Sequence, residues 1–161
     1  MSEAARKAVY DCNIYVQALI NMTGPAGGCV EAALAGRVSL FVSSFVLDEI
    51  RESYLKLPQK YGVTQEQTER LADGVASVAT LVEQVPELFV YPRDPDDAHY
   101  VNLALACAAK LVVSRDRDLL DLMDQTRPEG VDFSRRFPDL RVVDPLTFLR
   151  GIADDQTTDA T

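Results

Sequence analysis

The chain has 161 residues, of which 47% are hydrophobic and 25% are charged, and this length and balance are typical of a single globular domain. Its 16 Lys and Arg against 25 Asp and Glu give a formal net charge of −9, which disfavours binding of nucleic acid through a broad basic surface. No apolar run is long enough for a membrane-spanning helix or a signal peptide, and the three cysteines form no CxxC pair, so we predict a reduced, cytoplasmic protein without a membrane segment.

Short apolar runs alternate with longer stretches of helical periodicity along the chain. The predicted strands are residues 7–10, 38–42, 88–91, 111–113 and 141–143. The predicted helices cover residues 13–22, 29–34, 45–57, 64–85, the stretch after the loop at 92–97, 117–123 and the stretch that begins at Pro145. This alternation predicts an α/β fold: a three-layer α/β/α sandwich around a central parallel sheet of about five strands.

Three segments need predictions of their own beside this alternation of strands and helices. The predicted helix over 64–85 carries a heptad-like apolar seam, which fits either a helix packed on the core or a face for a dimer or partner. Residues 125–139 combine Pro, Gly and mixed charge, which predicts an irregular excursion. We place the folded domain at residues 1–153 and a disordered acidic tail at residues 154–161.

Carboxylates follow four of the predicted strands. In order along the chain they are Asp11, Glu49, the group Asp94, Asp96 and Asp97, and the pair Asp116 and Asp118, with the neutral polar residues Asn13 and Ser114 beside them. Ligands of open parallel sheets bind outside the carboxyl ends of the strands. The topology therefore predicts that these acids, although distant in sequence, meet at one edge of the sheet.

Helix capping explains part of this set. Asp94-Pro95-Asp96-Asp97 is a good helix start, and Asp116 can cap the following helix. Capping does not explain Glu49 in mid-helix or Asp11 at the end of a buried strand. Clustered carboxylates repel one another unless a cation lies among them, and oxygen ligands without Cys or His suit Mg²⁺ or Mn²⁺.

The single histidine, His99, gives a Ser–His–Asp arrangement little to build on. A metal-dependent phosphoryl-transfer site is therefore the better prediction. A phosphatase with an Asp nucleophile on the first strand is disfavoured, because DCNIY has Asn13 where that class needs a second acid.

Four segments, VYDCNIYVQAL, SSFVLDEI, DPDDAHYVNLALACAAKLVVSRDRDLLDL and VVDPLTFL, resemble in order and spacing the PIN-domain ribonucleases. Within that family the chain is most similar to the toxin components of type II toxin–antitoxin systems, the relatives of VapC. The resemblance runs from about residue 7 to residue 152. It matches Asp11, Glu49, Asp97 and Asp116 to the four family acids, and Asp118 to an extra acid of some members. It leaves Asp94 and Asp96 peripheral, matches Asn13 to the residue that orients the first acid, and puts Ser114 where Thr is more usual.

The resemblance implies an endoribonuclease that cuts single-stranded RNA with Mg²⁺ or Mn²⁺. Asp11, Asp97 and Asp116 would hold the metal, and Glu49 would ligate it or activate the attacking water. Arg93, Arg115 and Arg117 flank the acids and either contact RNA or balance nearby charge. A small antitoxin protein and a homodimer are implied as partners. The alternative is a catalytically silent PIN-like module that binds RNA or protein, which the four intact acids disfavour.

Overall fold

A five-stranded parallel sheet forms the centre of the fold in the computed structural model, which describes the backbone of residues 5–159 and the side chains of residues 5–155. The strands are β1 (Arg6–Tyr10), β2 (Val38–Val42), β3 (Thr80–Leu81), β4 (Leu111–Val113) and β5 (Arg141–Val143). They lie in the order β3-β2-β1-β4-β5, and every pair is parallel. The predicted three-layer α/β/α fold is confirmed.

Helices connect the strands and cover the sheet. Within the described residues they are α1 (Cys12–Ile20), α2 (Pro25–Leu34), α3 (Ser44–Glu52), α4 (Gln65–Val78), α5 (Ala98–Cys107), α6 (Arg117–Leu120), α7 (Pro128–Arg136) and α8 (Pro145–Asp159). Short 3₁₀ turns occupy Ser53–Leu55, Gln59–Tyr61 and Asp121–Met123. None of the helices in this part of the chain is long and apolar enough to cross a membrane.

Local capping fixes where the helices near the sheet edge begin. Ser43 accepts a hydrogen bond from the Val46 backbone N–H and starts α3, and Thr64 forms a capping box with Gln67 at the start of α4.

The central strand β1 buries Ala8, Val9 and Tyr10 completely between the helical layers. Parallel strands covered on both faces are apolar without alternation, which is why the sequence reveals them.

The predicted strand at 88–91 is wrong, because the strand that pairs with β2 is Thr80–Leu81. The Leu88 and Phe89 backbone N–H groups donate to Asn102 Oδ1 at 3.0 and 2.8 Å, and Asn102 Nδ2 donates to the Phe89 carbonyl at 2.9 Å. A side chain on α5 thus replaces a neighbouring strand as the hydrogen-bonding partner. Phe89 and Tyr91 are buried, which accounts for the apolar character of the run.

The predicted helix over 64–85 is too long. Helix α4 ends at Val78, and Ala79 turns the chain into an extended conformation that leads directly into β3. The heptad seam therefore does not continue along one helix: Val82 and Val85 pack against the core from a segment without helical structure. A sustained dimer seam on this helix is accordingly not formed.

Two other segments are more regular than predicted. Residues 125–139 contain α7, which buries Phe133 against Phe89 at 5.3 Å between ring centroids. Helix α8 continues to Asp159, so residues 154–159 are helical rather than a disordered tail, while residues 160–161 lie outside the described part. Arg6 anchors this extension, since its guanidinium nitrogens lie 2.5 and 2.8 Å from the Asp155 carboxylate oxygens.

A close approach between the start of α2 and the chain before it generates a stability prediction. A Cβ on Gly27 would lie 2.1 Å from the Met22 carbonyl oxygen, whereas a Cβ on Gly74 in α4 would meet nothing nearer than Leu34 Cδ2 at 3.9 Å. We expect Gly27→Ala to lower the free energy of unfolding by about 1–3 kcal/mol. The matched Gly74→Ala should raise it by up to about 1 kcal/mol. Urea denaturation followed by circular dichroism measures both, and equal effects would contradict the packing described.

Candidate metal centre

Asp11 connects the two central strands at the carboxyl edge of the sheet. It directly follows β1 and is 3% exposed. Its Oδ2 accepts a hydrogen bond from Ser114 Oγ at 2.7 Å, and Ser114 directly follows the neighbouring strand β4. Its Oδ1 accepts from the backbone N–H of Asn13 at 3.1 Å, so Asn13 orients Asp11 through its main chain.

The same serine links Asp11 to the acids after β4. Ser114 Oγ accepts a hydrogen bond from the Asp116 backbone N–H at 2.9 Å, and Asp116 Oδ1 accepts from the Asp118 backbone N–H at 2.9 Å. This chain of hydrogen bonds fixes the turn between β4 and α6. Asp116 is thus both the cap of α6 and part of the acidic edge, so the capping explanation and the site explanation hold together.

A compact cluster of carboxylates lies beside this turn. One oxygen from each of four aspartates lies within 4.8 Å of the others: Asp94, Asp97, Asp116 and Asp118. Asp97, at the start of α5, is buried at 6% exposure, while the other three are half-buried. Asp94 therefore belongs to the cluster, although the resemblance leaves it peripheral. Asp96, from the same loop, is exposed and lines the adjoining cleft.

Glu49 approaches from α3 and is held by Tyr100. The Tyr100 hydroxyl donates to Glu49 Oε1 at 2.5 Å and accepts from the Cys12 backbone N–H at 3.1 Å. Tyr100 lies one helical turn after Asp97, so the two point to the same side of α5. Glu49, Tyr100, Asp11 and Asp97 line one cleft of about 320 Å³.

Burial and mutual repulsion raise the pKa of these acids. Burial first, and then the charges of Asp116, Asp94 and Asp11, raise the pKa of Asp97 to about 8. Burial also raises the pKa of Asp11, against the opposing hydrogen bond from Ser114, and that of Glu49, against the hydrogen bond from Tyr100. The carboxylates are therefore assembled at an electrostatic cost that the protein groups offset only in part.

The arrangement fits a divalent cation. Asp97 Oδ2 is buried and has no hydrogen-bond partner among the described residues, and a buried acceptor without a partner is costly. Asp94, Asp116 and Asp118 point carboxylate oxygens into the same space. An all-oxygen donor set that carries excess negative charge is what Mg²⁺ or Mn²⁺ requires.

The predicted arginines differ in their surroundings. Arg93 Nε lies 2.6 Å from Asp118 Oδ1 and one of its terminal nitrogens lies 2.8 Å from Asp121 Oδ2, so Arg93 is engaged with carboxylates. Arg115 and Arg117 are exposed and form no salt bridge within residues 5–155. Neither of the two lines the acid-lined cleft.

Sequence reasoning missed two residues of this site, Tyr100 and Lys56. The spacing of Tyr100 from Asp97 was a usable signal, because residues three apart share a helix face. Lys56 follows the 3₁₀ turn after α3 and lines the cleft with the acids. No motif marks it, since only the tertiary structure brings it to the site.

The raised pKa of Asp97 makes stability depend on pH in the metal-free protein. With a pKa of about 8 against an ordinary 3.8, the folded state holds a proton that the unfolded chain releases, so stability falls as pH rises through this interval. Asp97→Asn removes this loss of stability, because the asparagine side chain does not ionise as pH rises. We expect the variant in EDTA at pH 8 to exceed wild type by at least about 1 kcal/mol, roughly 2–4 °C in Tm, with the difference vanishing near pH 4.

Thermal melts across that pH range provide the measurement. Asp73→Asn is the control, because Asp73 is exposed on α4 and belongs neither to the four-carboxylate cluster nor to the lining of the cleft. A gain for Asp97→Asn that is the same at every pH would contradict the electrostatic account.

Comparisons with known proteins agree with this fold. The PIN domain model matches residues 7–118. An uncharacterized protein of Methanocaldococcus jannaschii is 27% identical over 129 residues, which cover 79% of this chain and 81% of the relative. The crystal structure of VapBC2 from Rickettsia felis, bound to a DNA fragment from their promoter, contains a similarly folded chain, with a TM-score of 0.50 at 17% identity over 86% of this chain and 98% of that one. The family match covers most of the chain, including Asp11, Glu49, Asp97 and Asp116, and the chain therefore belongs to the PIN-domain family.

Proposed function

We propose that this protein is a metal-dependent endoribonuclease that hydrolyses phosphodiester bonds of single-stranded RNA with Mg²⁺ or Mn²⁺. The observation that carries the proposal is the buried Asp97 oxygen without a hydrogen-bond partner, surrounded by further carboxylates. PIN domains are generally nucleases, and such a carboxylate cluster suits the metal chemistry of phosphodiester hydrolysis.

The metal would be held by Asp97, Asp116 and Asp11. Asp94 and Asp118 belong to the same four-carboxylate cluster as Asp97 and Asp116 and would each offer one further oxygen. Asp11 lies outside that cluster and lines the adjoining cleft with Asp97. When bound, the cation supplies Lewis-acid activation of water and of the phosphodiester. Ser114 donates a hydrogen bond to Asp11 Oδ2 and the Asn13 backbone N–H donates one to Oδ1, which leaves one lone pair on each oxygen for a cation. The need to hold Asp11 in this orientation explains why a residue with a hydroxyl group, Ser114, follows β4.

Glu49 has the second role in the proposed mechanism. Tyr100 donates to Glu49 Oε1, so Oε2 is left to face the cleft and to accept a proton from the attacking water. The pKa of Glu49 is raised by burial, which makes its carboxylate a stronger base than an exposed one. The water oxygen would form a bond to phosphorus as the bond from phosphorus to the leaving oxygen breaks. The leaving oxygen would take a proton from solvent, and Glu49 would release its own proton to solvent.

We extend the proposal to a biological role as the toxin of a type II toxin–antitoxin pair in the cytoplasm, neutralised by a small antitoxin protein. The fold likeness to the VapBC2 toxin–antitoxin complex and the resemblance to VapC relatives motivate this step. A homodimer remains part of the proposal, without the heptad seam as its basis. The silent-module alternative is less favoured, because the acids are retained and clustered.

Cleavage of RNA by the purified protein tests the enzymatic proposal. We expect cleavage of an unstructured RNA with Mn²⁺ or Mg²⁺, none in EDTA, and a loss of at least about 100-fold in both Asp11→Asn and Asp97→Asn, because each variant removes a proposed metal ligand. Asp73→Asn should cleave like wild type. A structured RNA offered in parallel should be cut more slowly.

The outcomes separate the hypotheses. Cleavage that persists in both ligand variants points to a contaminating nuclease and leaves the assigned site without support. No cleavage with no effect of Mg²⁺ or Mn²⁺ on Tm favours the silent binding module, since a ligand that binds the folded state raises Tm.

A double-mutant cycle tests whether Tyr100 acts through Glu49. We expect Tyr100→Phe to lower kcat about 10-fold in the wild-type background and to have no further effect in Glu49→Gln, because its hydroxyl only orients that carboxylate. Tyr10→Phe is the matched control, since the Tyr10 hydroxyl is also buried but donates to the Cys29 carbonyl in α2 instead. Equal losses from Tyr100→Phe in both backgrounds would show that Tyr100 acts independently of Glu49.

A further inference from the structure

One basic side chain lines the acid-lined cleft. The acidic residues that line the cleft are Asp11, Glu49, Asp94, Asp96 and Asp97. Lys56 lines it too, and within the described part of the chain it is the one Lys or Arg that does so. The cleft would otherwise repel a phosphodiester strand, so this single ammonium has a disproportionate effect on what can enter.

The backbone of Lys56 is held firmly relative to Glu49. Its N–H donates to the Ser53 carbonyl at 3.0 Å, closing the turn that follows α3. Ser53 is buried, and its hydroxyl donates to the Ile50 carbonyl at 2.7 Å. Glu49 and Lys56 thus project from one continuous, hydrogen-bonded segment, which fixes where the lysine stem begins.

The ammonium itself is free to bind a ligand. Lys56 is exposed and forms no salt bridge within residues 5–155, in contrast to Arg93, which is held by Asp118 and Asp121. Lysine presents a compact charge with three donors on a flexible stem, which suits a phosphate whose exact position varies. The neighbouring Leu57 and Val16 add apolar surface to the same wall.

We propose that Lys56 is a substrate-binding residue that contacts a phosphate of the RNA strand next to the one that is cleaved, while Leu57 and Val16 contact the adjoining nucleoside. This inference rests on the proposed function and gives residues of one cleft two roles: Lys56 and Leu57 contact the substrate, and the acids hold the metal. Lys56 therefore takes the role that sequence adjacency suggested for Arg93.

The test compares Lys56→Ala, Lys56→Arg and Lys60→Ala. Lys60 is the matched control: it is exposed, lies four residues further on, and rests over the Tyr61 ring at 5.1 Å, outside the cleft lining. Binding of a short, fluorescently labelled single-stranded RNA is measured in the Glu49→Gln background with Mg²⁺ at several salt concentrations. That background also removes any effect of Lys56 exerted through the Glu49 charge. Cleavage kinetics are measured with Glu49 present.

We expect Lys56→Ala to raise Kd and KM about 5–10-fold with little change in kcat. The slope of log K against log salt should shrink by about 0.7, the value for one phosphate contact on a single strand. Lys56→Arg should keep most of the affinity, Lys60→Ala all of it, and Tm should be unchanged in each, since both lysines are exposed.

An unchanged Kd in Lys56→Ala, or an equal loss in Lys60→Ala, would overturn the proposal. If RNA binds through Lys56 but no protein is cleavage-active, the inference about Lys56 stands and the proposed catalysis fails. If the Glu49→Gln parent binds no RNA and the protein with Glu49 cleaves none, both fail.

Discussion

Repulsion among carboxylates at one edge of a parallel sheet is the constraint on which the rest of this structure depends. Parallel strands end at the same edge, so acids after β1 and β4 and in the loop before α5 meet there as soon as the chain folds. The protein lowers the cost with hydrogen bonds from Ser114 to Asp11 and from Tyr100 to Glu49, and with Arg93 beside Asp118. Among the described residues it provides no such partner for Asp97 Oδ2. The fold therefore keeps a local instability that a bound cation would relieve, as is common where stability and function compete.

The irregular segment that delivers Asp94 and Asp97 is fixed from outside the sheet. Asn102 binds its backbone at Leu88 and Phe89, and the Tyr91 hydroxyl donates to the Asp118 carbonyl at 2.8 Å. Phe89 packs on α7, so this helix braces the acidic loop. A segment without regular structure can hold catalytic geometry when side chains satisfy its backbone groups.

The strands that the sequence predicts correctly are those whose apolar side chains are buried in the core. Strands β1, β2, β4 and β5 each carry buried apolar residues, and such strands stand out as short apolar runs. The acids at the sheet edge follow from the topology alone. The run at 88–91 is equally apolar, but Asn102 and the aromatic cluster account for it, and these partners are distant in sequence. A run of apolar residues indicates that the segment is buried, but it does not distinguish a buried strand from a buried loop.

Basic residues that are next to the acids in the sequence are likewise not the ones that line the cleft with them in the structure. Arg93 is next to Asp94 in the chain, yet it neutralises Asp118 and Asp121, whereas Lys56 reaches the cleft from another element. With a net charge of −9, long-range attraction cannot bring a polyanion to this cleft, so affinity must come from contacts within a few ångströms. A cation held by the acids would be the strongest such contact. Under the proposed function, the metal would therefore bind the substrate as well as activate it, and its removal would abolish both at once.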